Sequence, residues 1–311
     1  MLGTFVSVLS VSMLAVTSTG AELTVAASFT LIAATVASAL VPALLMNISI
    51  VGLNQIYDVE IDKTNKPYLP IASGELSIEN AWRVVCGTAI LSLALGLATG
   101  SVPLLCTLAG SLVLGIAYSV DAPMLRWKRY PTVAAMCILS VRAVLVQFGF
   151  FFHMQRALLM DVGIGGLLLP TTATHASFAS LYSSPALLFA TAFMFVFSVV
   201  IALFKDIPDA RGDKLNNMHT FTVRLGPKTV FWTCIFLLEL AYGSGIVYSL
   251  LRLEGWARIG SAVAHALVGT LIFKRAAGTN VQSPDDVYGC YMDIWKAFYF
   301  EYVLIPLFGA L

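Results

Sequence analysis

Pro185–Phe204 reads PALLFATAFMFVFSVVIALF, twenty residues without a formal charge, and Lys205 to Lys214 follows at once as KDIPDARGDK, with six charges in ten residues. At about 1.5 Å of rise per residue, such a helix covers about 30 Å, the thickness of a bilayer's hydrocarbon core. The abrupt change in text marks a membrane-spanning helix leaving the bilayer. Outward from it, similar apolar runs occupy residues 2–18, 24–52, 81–100, 102–119, 132–152, 230–251, 257–273 and 294–311. Little more than Gly100, Ser101 and Pro103 separates the third and fourth runs, which predicts a tight hairpin. The expected fold is all-α, a polytopic membrane bundle of about nine transmembrane helices forming one domain over residues 1–311.

Composition agrees. Of 311 residues, 59% are hydrophobic and 11% charged, with a mean hydropathy of +0.86. Soluble chains are nearer 45–50% apolar and about 25% charged, so a soluble enzyme and a disordered tail are excluded. A net charge of +1 excludes a nucleic-acid binder working through a basic face. The five cysteines, Cys86, Cys106, Cys137, Cys234 and Cys290, form no CxxC pair and read as small hydrophobes without disulfide or zinc. The start of the chain has neither the basic leader of a secretory signal nor an Arg- and Ser-rich transit segment.

With nine spans, the loops after the second, fourth, sixth and eighth lie on one side. Those loops and the adjoining helix ends carry fourteen of the 18 Lys and Arg residues, which assigns that side to the cytoplasm or its topological equivalent, such as stroma. Twelve of the 17 acidic residues crowd there too. Acids do not set orientation, so their crowding needs a chemical reason.

That reason lies in two motifs. The second span runs out through NQIYDVEIDK, Asn54 to Lys63. Asn54, Asp58 and Asp62 are four apart, so a continuing helix aligns them in one polar stripe. Oxygen donors on one stripe suit a hard cation such as Mg²⁺, which keeps water and phosphate oxygens in its octahedron. In the second motif Asp206, Asp209 and Asp213 are spaced to share a helical face, with Pro208 bending or restarting the helix. Asp58/Asp62/Lys63 and Asp209/Asp213/Lys214 repeat D-x-x-x-D-K at one offset, which also sets Lys205 opposite Asn54. This suggests a degenerate internal repeat, helices 2–5 and 6–9. Two carboxylate clusters at one membrane face repel unless cations lie between them. Their six donors suit Mg²⁺ ions bridging a diphosphate.

NQIYDVEIDKTNKPYLPIASGELS and KDIPDARGDKLNNMHTFTVRLG, with SVRAVLVQFGFFFHMQ and IWKAFYFEYVLIPL, resemble the UbiA superfamily of intramembrane aromatic prenyltransferases. Within it the chain is most similar to plant and algal homogentisate prenyltransferases of vitamin E synthesis. Plant flavonoid and coumarin prenyltransferases share much of this text. The resemblance implies nine helices around a central cavity with both Asp-rich motifs at its mouth. It implies that Asn54, Asp58, Asp62, Asp206, Asp209 and Asp213 hold Mg²⁺ and the diphosphate of a phytyl or geranylgeranyl donor. Homogentisate is the implied acceptor, prenylated with loss of CO₂, and a plastid membrane the implied location. Lys128 and Arg129 match a basic pair the family uses near its substrates.

Other residues keep alternative readings. Arg126 is a weaker candidate, since three cations within four residues also anchor topology. Lys205 is placed to reach a phosphate oxygen or to snorkel at a helix end. Arg142, deep in the fifth span, must face a polar cavity or a partner; it either grips an acceptor carboxylate or pairs with Glu239 or Glu301. His153, His175, His219 and His265 have no metal-like spacing and read as loop or packing residues. Ser77 reads as a helix N-cap with Glu79 complementing the dipole.

The chain departs from the family in a shortened first helix and in residues 156–184, a longer stretch that reads as a neutral loop insertion. A cation transporter is the rival class. It would place ionisable residues at mid-membrane helix breaks, whereas here they gather at the membrane edge.

Overall fold

The structure is a computed structural model that describes residues 1–19, 29–161, 184–210 and 220–310. Among the described residues the regular structure is helical and there is no strand. The long helices are α1 (Leu2–Ser18), α2 (Phe29–Asn65), α3 (Ile78–Ala98) and α4 (Val102–Ser119). Then come α5 (Pro131–Leu139) and α6 (Val146–Asp161), joined by a π-helical stretch, Ser140–Leu145. After them are α7 (Pro185–Phe204), the short α8 (Phe221–Leu225), α9 (Pro227–Arg252), α10 (Gly255–Ala277) and α11 (Pro284–Leu304). Seven described helices are long and apolar enough to cross a membrane, with Thr132–Met160 counted as one. The other two expected spans are helical but fall short of that measure. At 17 residues α1 is brief, and the first turns of α11 carry Asp285, Asp286 and Asp293. The 156–184 insertion lies mainly outside the described residues.

Packing divides the chain into two compact units, Met1–Ser12 with Glu22–Thr174, and Met13–Ala21 with His175–Leu311. In the first, α2 packs along α3 and α4, and α6 packs on α2 and α4. Buried hydroxyls tie the pair α2–α3, where Ser49 donates to the Val85 carbonyl at 2.9 Å and Ser92 to that of Pro42 at 2.7 Å. Such small polar residues let membrane helices approach closely. The hairpin from α3 to α4 turns at Gly100, whose φ of 63° suits a residue without Cβ. Ser77 caps α3 by accepting the Asn80 N–H at 3.3 Å, as its sequence position predicts.

In the second unit α9 packs on α7 and α10, and α11 on α7 and α10. An aromatic core fills the unit. Phe189 stacks on Tyr248 at 4.1 Å between ring centroids, and Phe193 meets Tyr242 edge-on at 5.5 Å. Aromatic rings supply large contact areas in these arrangements. All five cysteines are free.

Candidate active site

α2 runs for 37 residues, about 55 Å at 1.5 Å each, so it outruns the hydrocarbon core by about 25 Å. No Gly or Pro interrupts it between Gly52 and Pro67, and it stays helical through Asn54, Asp58 and Asp62. The predicted polar stripe is therefore present on one helix. Asn54 donates to Ser119 Oγ at the end of α4, 3.3 Å away, and Asp62 is 8% exposed.

The segment after α4 carries the basic residues to this stripe. Lys128 Nζ lies 2.5 Å from Asp58 Oδ1, and Arg126 Nη2 lies 4.0 Å from the same oxygen. Arg126 and Arg129 also share Asp121, the latter at 3.2 Å. Met124 and Arg126 take left-handed backbone conformations, φ 65° and 56°, unusual for residues with a Cβ. The turn thereby distributes three basic residues within four positions, Arg126, Lys128 and Arg129, over two carboxylates, Asp58 and Asp121. The family resemblance named Lys128 and Arg129 together as a basic pair, but the structure separates them. Lys128 joins Asp58, Arg126 reaches both carboxylates, and Arg129 stays with Asp121.

In the other unit the second motif begins differently from a continued helix. α7 ends at Phe204, and Lys205 to Asp209 form successive turns closed by the bonds Asp206 N–H to Leu203 O at 3.4 Å and Ile207 N–H to Phe204 O at 3.1 Å. Pro208 disfavours helical backbone at the residue before it, so Asp206 and Asp209 stand on a turn, not on one helical face. Lys205 Nζ is 4.0 Å from Asp206 Oδ1. Asp213 lies outside the described residues.

Arg142 sits within the π-helical stretch Ser140–Leu145, a distortion that often accompanies function. Thr107 Oγ1 bonds the Leu145 carbonyl at 3.2 Å and that of Pro103 at 2.9 Å, supplying a partner where the helical ladder shifts. Glu301, one partner expected for Arg142, is instead 3.1 Å from His265 Nε2. Spacing gave no signal for that pair, because the two residues meet only when α10 packs on α11.

Asn54, Asp58 and Asp62 offer oxygen only, the ligand type Mg²⁺ prefers. Among the described residues no three His, Cys, Asp or Glu side chains form a metal-holding group. The stripe thus fits an ion that keeps water and substrate phosphate as ligands, not one enclosed by protein.

The chain itself has counterparts among known proteins. The model of the UbiA prenyltransferase family matches residues 7–297. The chain belongs to the UbiA prenyltransferase family. As a family member it is 46% identical over 98% of its length to homogentisate phytyltransferase 1, chloroplastic, of Arabidopsis thaliana, covering 72% of that protein. It is 45% identical over 86% of its length to homogentisate geranylgeranyltransferase of Hordeum vulgare, covering 61% of that protein. A solved UbiA homolog from Archaeoglobus fulgidus bound to GPP and Mg²⁺ has the same fold, with a TM-score of 0.52 at 19% identity over 97% of this chain and 99% of that one.

Proposed function

We propose that this UbiA-family chain transfers a phytyl or geranylgeranyl group from its diphosphate to homogentisate, releasing diphosphate and CO₂, in a plastid membrane. The observation that carries the proposal is the carboxylate stripe of α2 with Lys128 and Arg126 on Asp58, in a chain 46% identical to a homogentisate phytyltransferase. Asn54, Asp58, Asp62, Asp206, Asp209 and Asp213 would hold Mg²⁺, as their oxygen chemistry suits. Bound there, Mg²⁺ would supply positive charge that stabilises a departing diphosphate.

The chain's own cations do the rest at that end of the substrate. Lys128 and Arg126 donate hydrogen bonds to diphosphate oxygens, and such charge-assisted bonds are the strong ones. Arg129 would add positive field beside Asp121, and Lys205 would do so beside Asp206. The prenyl tail is kept among apolar helices, which shield an allylic cation from water until the electron-rich ring attacks. Arg142 is proposed to grip the acceptor's carboxylate before it leaves as CO₂.

The test is prenyl transfer by the chain in membranes, supplied with homogentisate and each diphosphate, with and without EDTA. Product that needs Mg²⁺ and disappears in both Asp58→Ala and Asp209→Ala is expected. A well-inserted wild type that prenylates only a flavonoid or a coumarin would overturn the acceptor. One that prenylates nothing would overturn the enzyme assignment.

A further inference from the structure

We infer that Asp121 is a positioning residue that sorts the basic loop, holding Arg126 and Arg129 so that Lys128 is the cation that closes on Asp58. The inference rests on the proposed prenyl-diphosphate chemistry. Asp121 follows directly on the capped end of α4, whose C-cap is Val120, so its carboxylate is anchored to a rigid element. Arg126 Nη1 bonds Asp121 Oδ2, and Arg129 Nη2 bonds the same carboxylate at 3.2 Å to Oδ1 and 3.3 Å to Oδ2. Asp58, on α2, receives Lys128 at 2.5 Å. The loop is thus fastened to two different helices by two different acids.

Asp121 is the carboxylate that pairs with both arginines and keeps this order. Three cations fall within four residues, Arg126 to Arg129, and like charges that close repel. Met124 and Arg126 are held in left-handed conformations, which persist only where surroundings impose them. Once released from Asp121, the two arginines compete with Lys128 for Asp58, from which Arg126 is already only 4.0 Å away. The left-handed turn keeps its local bonds, such as Trp127 Nε1 to the Met124 carbonyl at 2.8 Å, but loses its ion pairs with Asp121.

An acid beside a diphosphate site also repels the ligand, so two effects of opposite sign meet at Asp121. The repulsion acts through solvent, because the Asp121 side chain is 46% exposed, and salt screens it. Positioning acts through contacts and survives salt. The Debye length is about 10 Å at about 0.1 M and about 3 Å at about 1 M ionic strength, so comparing these conditions separates the two.

The full chain, purified in detergent with Mg²⁺, is titrated with inorganic diphosphate by calorimetry at both ionic strengths, as wild type, Asp121→Asn and Asp121→Glu. Asp121→Asn is expected to weaken binding about tenfold, the loss when one charge-assisted bond is misplaced, and to do so at both salts. Asp121→Glu restores binding to within about threefold. In the transfer assay the KM for prenyl diphosphate rises in parallel while kcat stays near wild type, and amide exchange in residues 120–130 quickens. Equal or tighter binding by Asp121→Asn, with wild type binding normally, overturns the inference alone. Failure of wild type to bind diphosphate overturns both it and the proposed function. Should Asp121→Asn not fold, Asp121→Ser is read by the same criteria.

Discussion

Lys128 Nζ stands 2.5 Å from Asp58 Oδ1 across 70 residues of sequence, joining the loop after α4 to the exposed end of α2. Both side chains are about one-seventh exposed, 14% and 15%, so the pair is partly shielded from solvent. Lys128→Met leaves Asp58 with only Arg126, at 4.0 Å. A hydrogen bond to a charged group contributes about 1.5–3 kcal/mol, so the KM for prenyl diphosphate is expected to rise about 10- to 100-fold. Initial rates in proteoliposomes check this, and an unchanged KM would remove Lys128 from the diphosphate site.

His265 and Glu301 are fully buried and 3.1 Å apart. Around them Ser249 donates to Ser261 at 2.8 Å, and Ser261 O lies 2.6 Å from His265 Nδ1. Removing one partner of a buried pair strands the other, at about 3–5 kcal/mol. His265→Leu and Glu301→Leu should each lower the unfolding midpoint in detergent strongly. The double variant should lose less than the two single losses together; strict additivity would show that the residues do not act as a pair.

Close helix approaches give a third expectation. A Cβ at Gly149 would stand 2.8 Å from Thr107 Cβ and closer still to its hydroxyl, and one at Gly245 would stand 2.9 Å from His265 Cγ. Gly149→Ala and Gly245→Ala should each cost about 1–3 kcal/mol through overpacking. Gly243, on the same helix as Gly245, meets nothing within 4 Å. Gly243→Ala should be neutral or stabilise by up to about 1 kcal/mol. Melting temperatures of the three variants decide it; equal behaviour of Gly243→Ala and Gly245→Ala would contradict the packing.

The turn before α11 has a pH signature. Asp286 accepts the Asn280 backbone N–H at 2.6 Å and the Arg275 guanidinium at 3.0 Å, and these hold its carboxyl below the usual carboxylate range. The ionised form is favoured by folding, so its contribution is present above the ordinary value of about 4 and is lost as pH falls through the depressed one. Melting curves between neutral and acid pH should fall less steeply in Asp286→Asn than in wild type. Parallel curves would show that Asp286 does not contribute.

The spans and the stripe on α2 were legible because both are local, although α2 runs on to Asn65, past the expected end at Gly52, and α11 starts at Pro284, ten residues before the expected Ile294. Apolar run length against bilayer thickness settles where a helix crosses, and a four-residue spacing settles which donors share its face, before any packing occurs. Pro208 likewise announced a break at Asp206 and Asp209, although the extent of the turn had to be seen. Partner choice was not local. Which of Arg126, Lys128 and Arg129 meets Asp58 depends on a left-handed turn at Arg126 and on the counter-charge of Asp121. That His265 finds Glu301, when sequence offered Glu301 as one partner for Arg142, depends on the packing of α10 on α11, with Gly245 leaving room on α9 for the His265 ring. Such contacts arise only when separate helices bring their side chains within a few ångströms of each other. Local chain chemistry sets the spans and the line of oxygen side chains on α2, whereas packing between helices and loops decides which charge faces which.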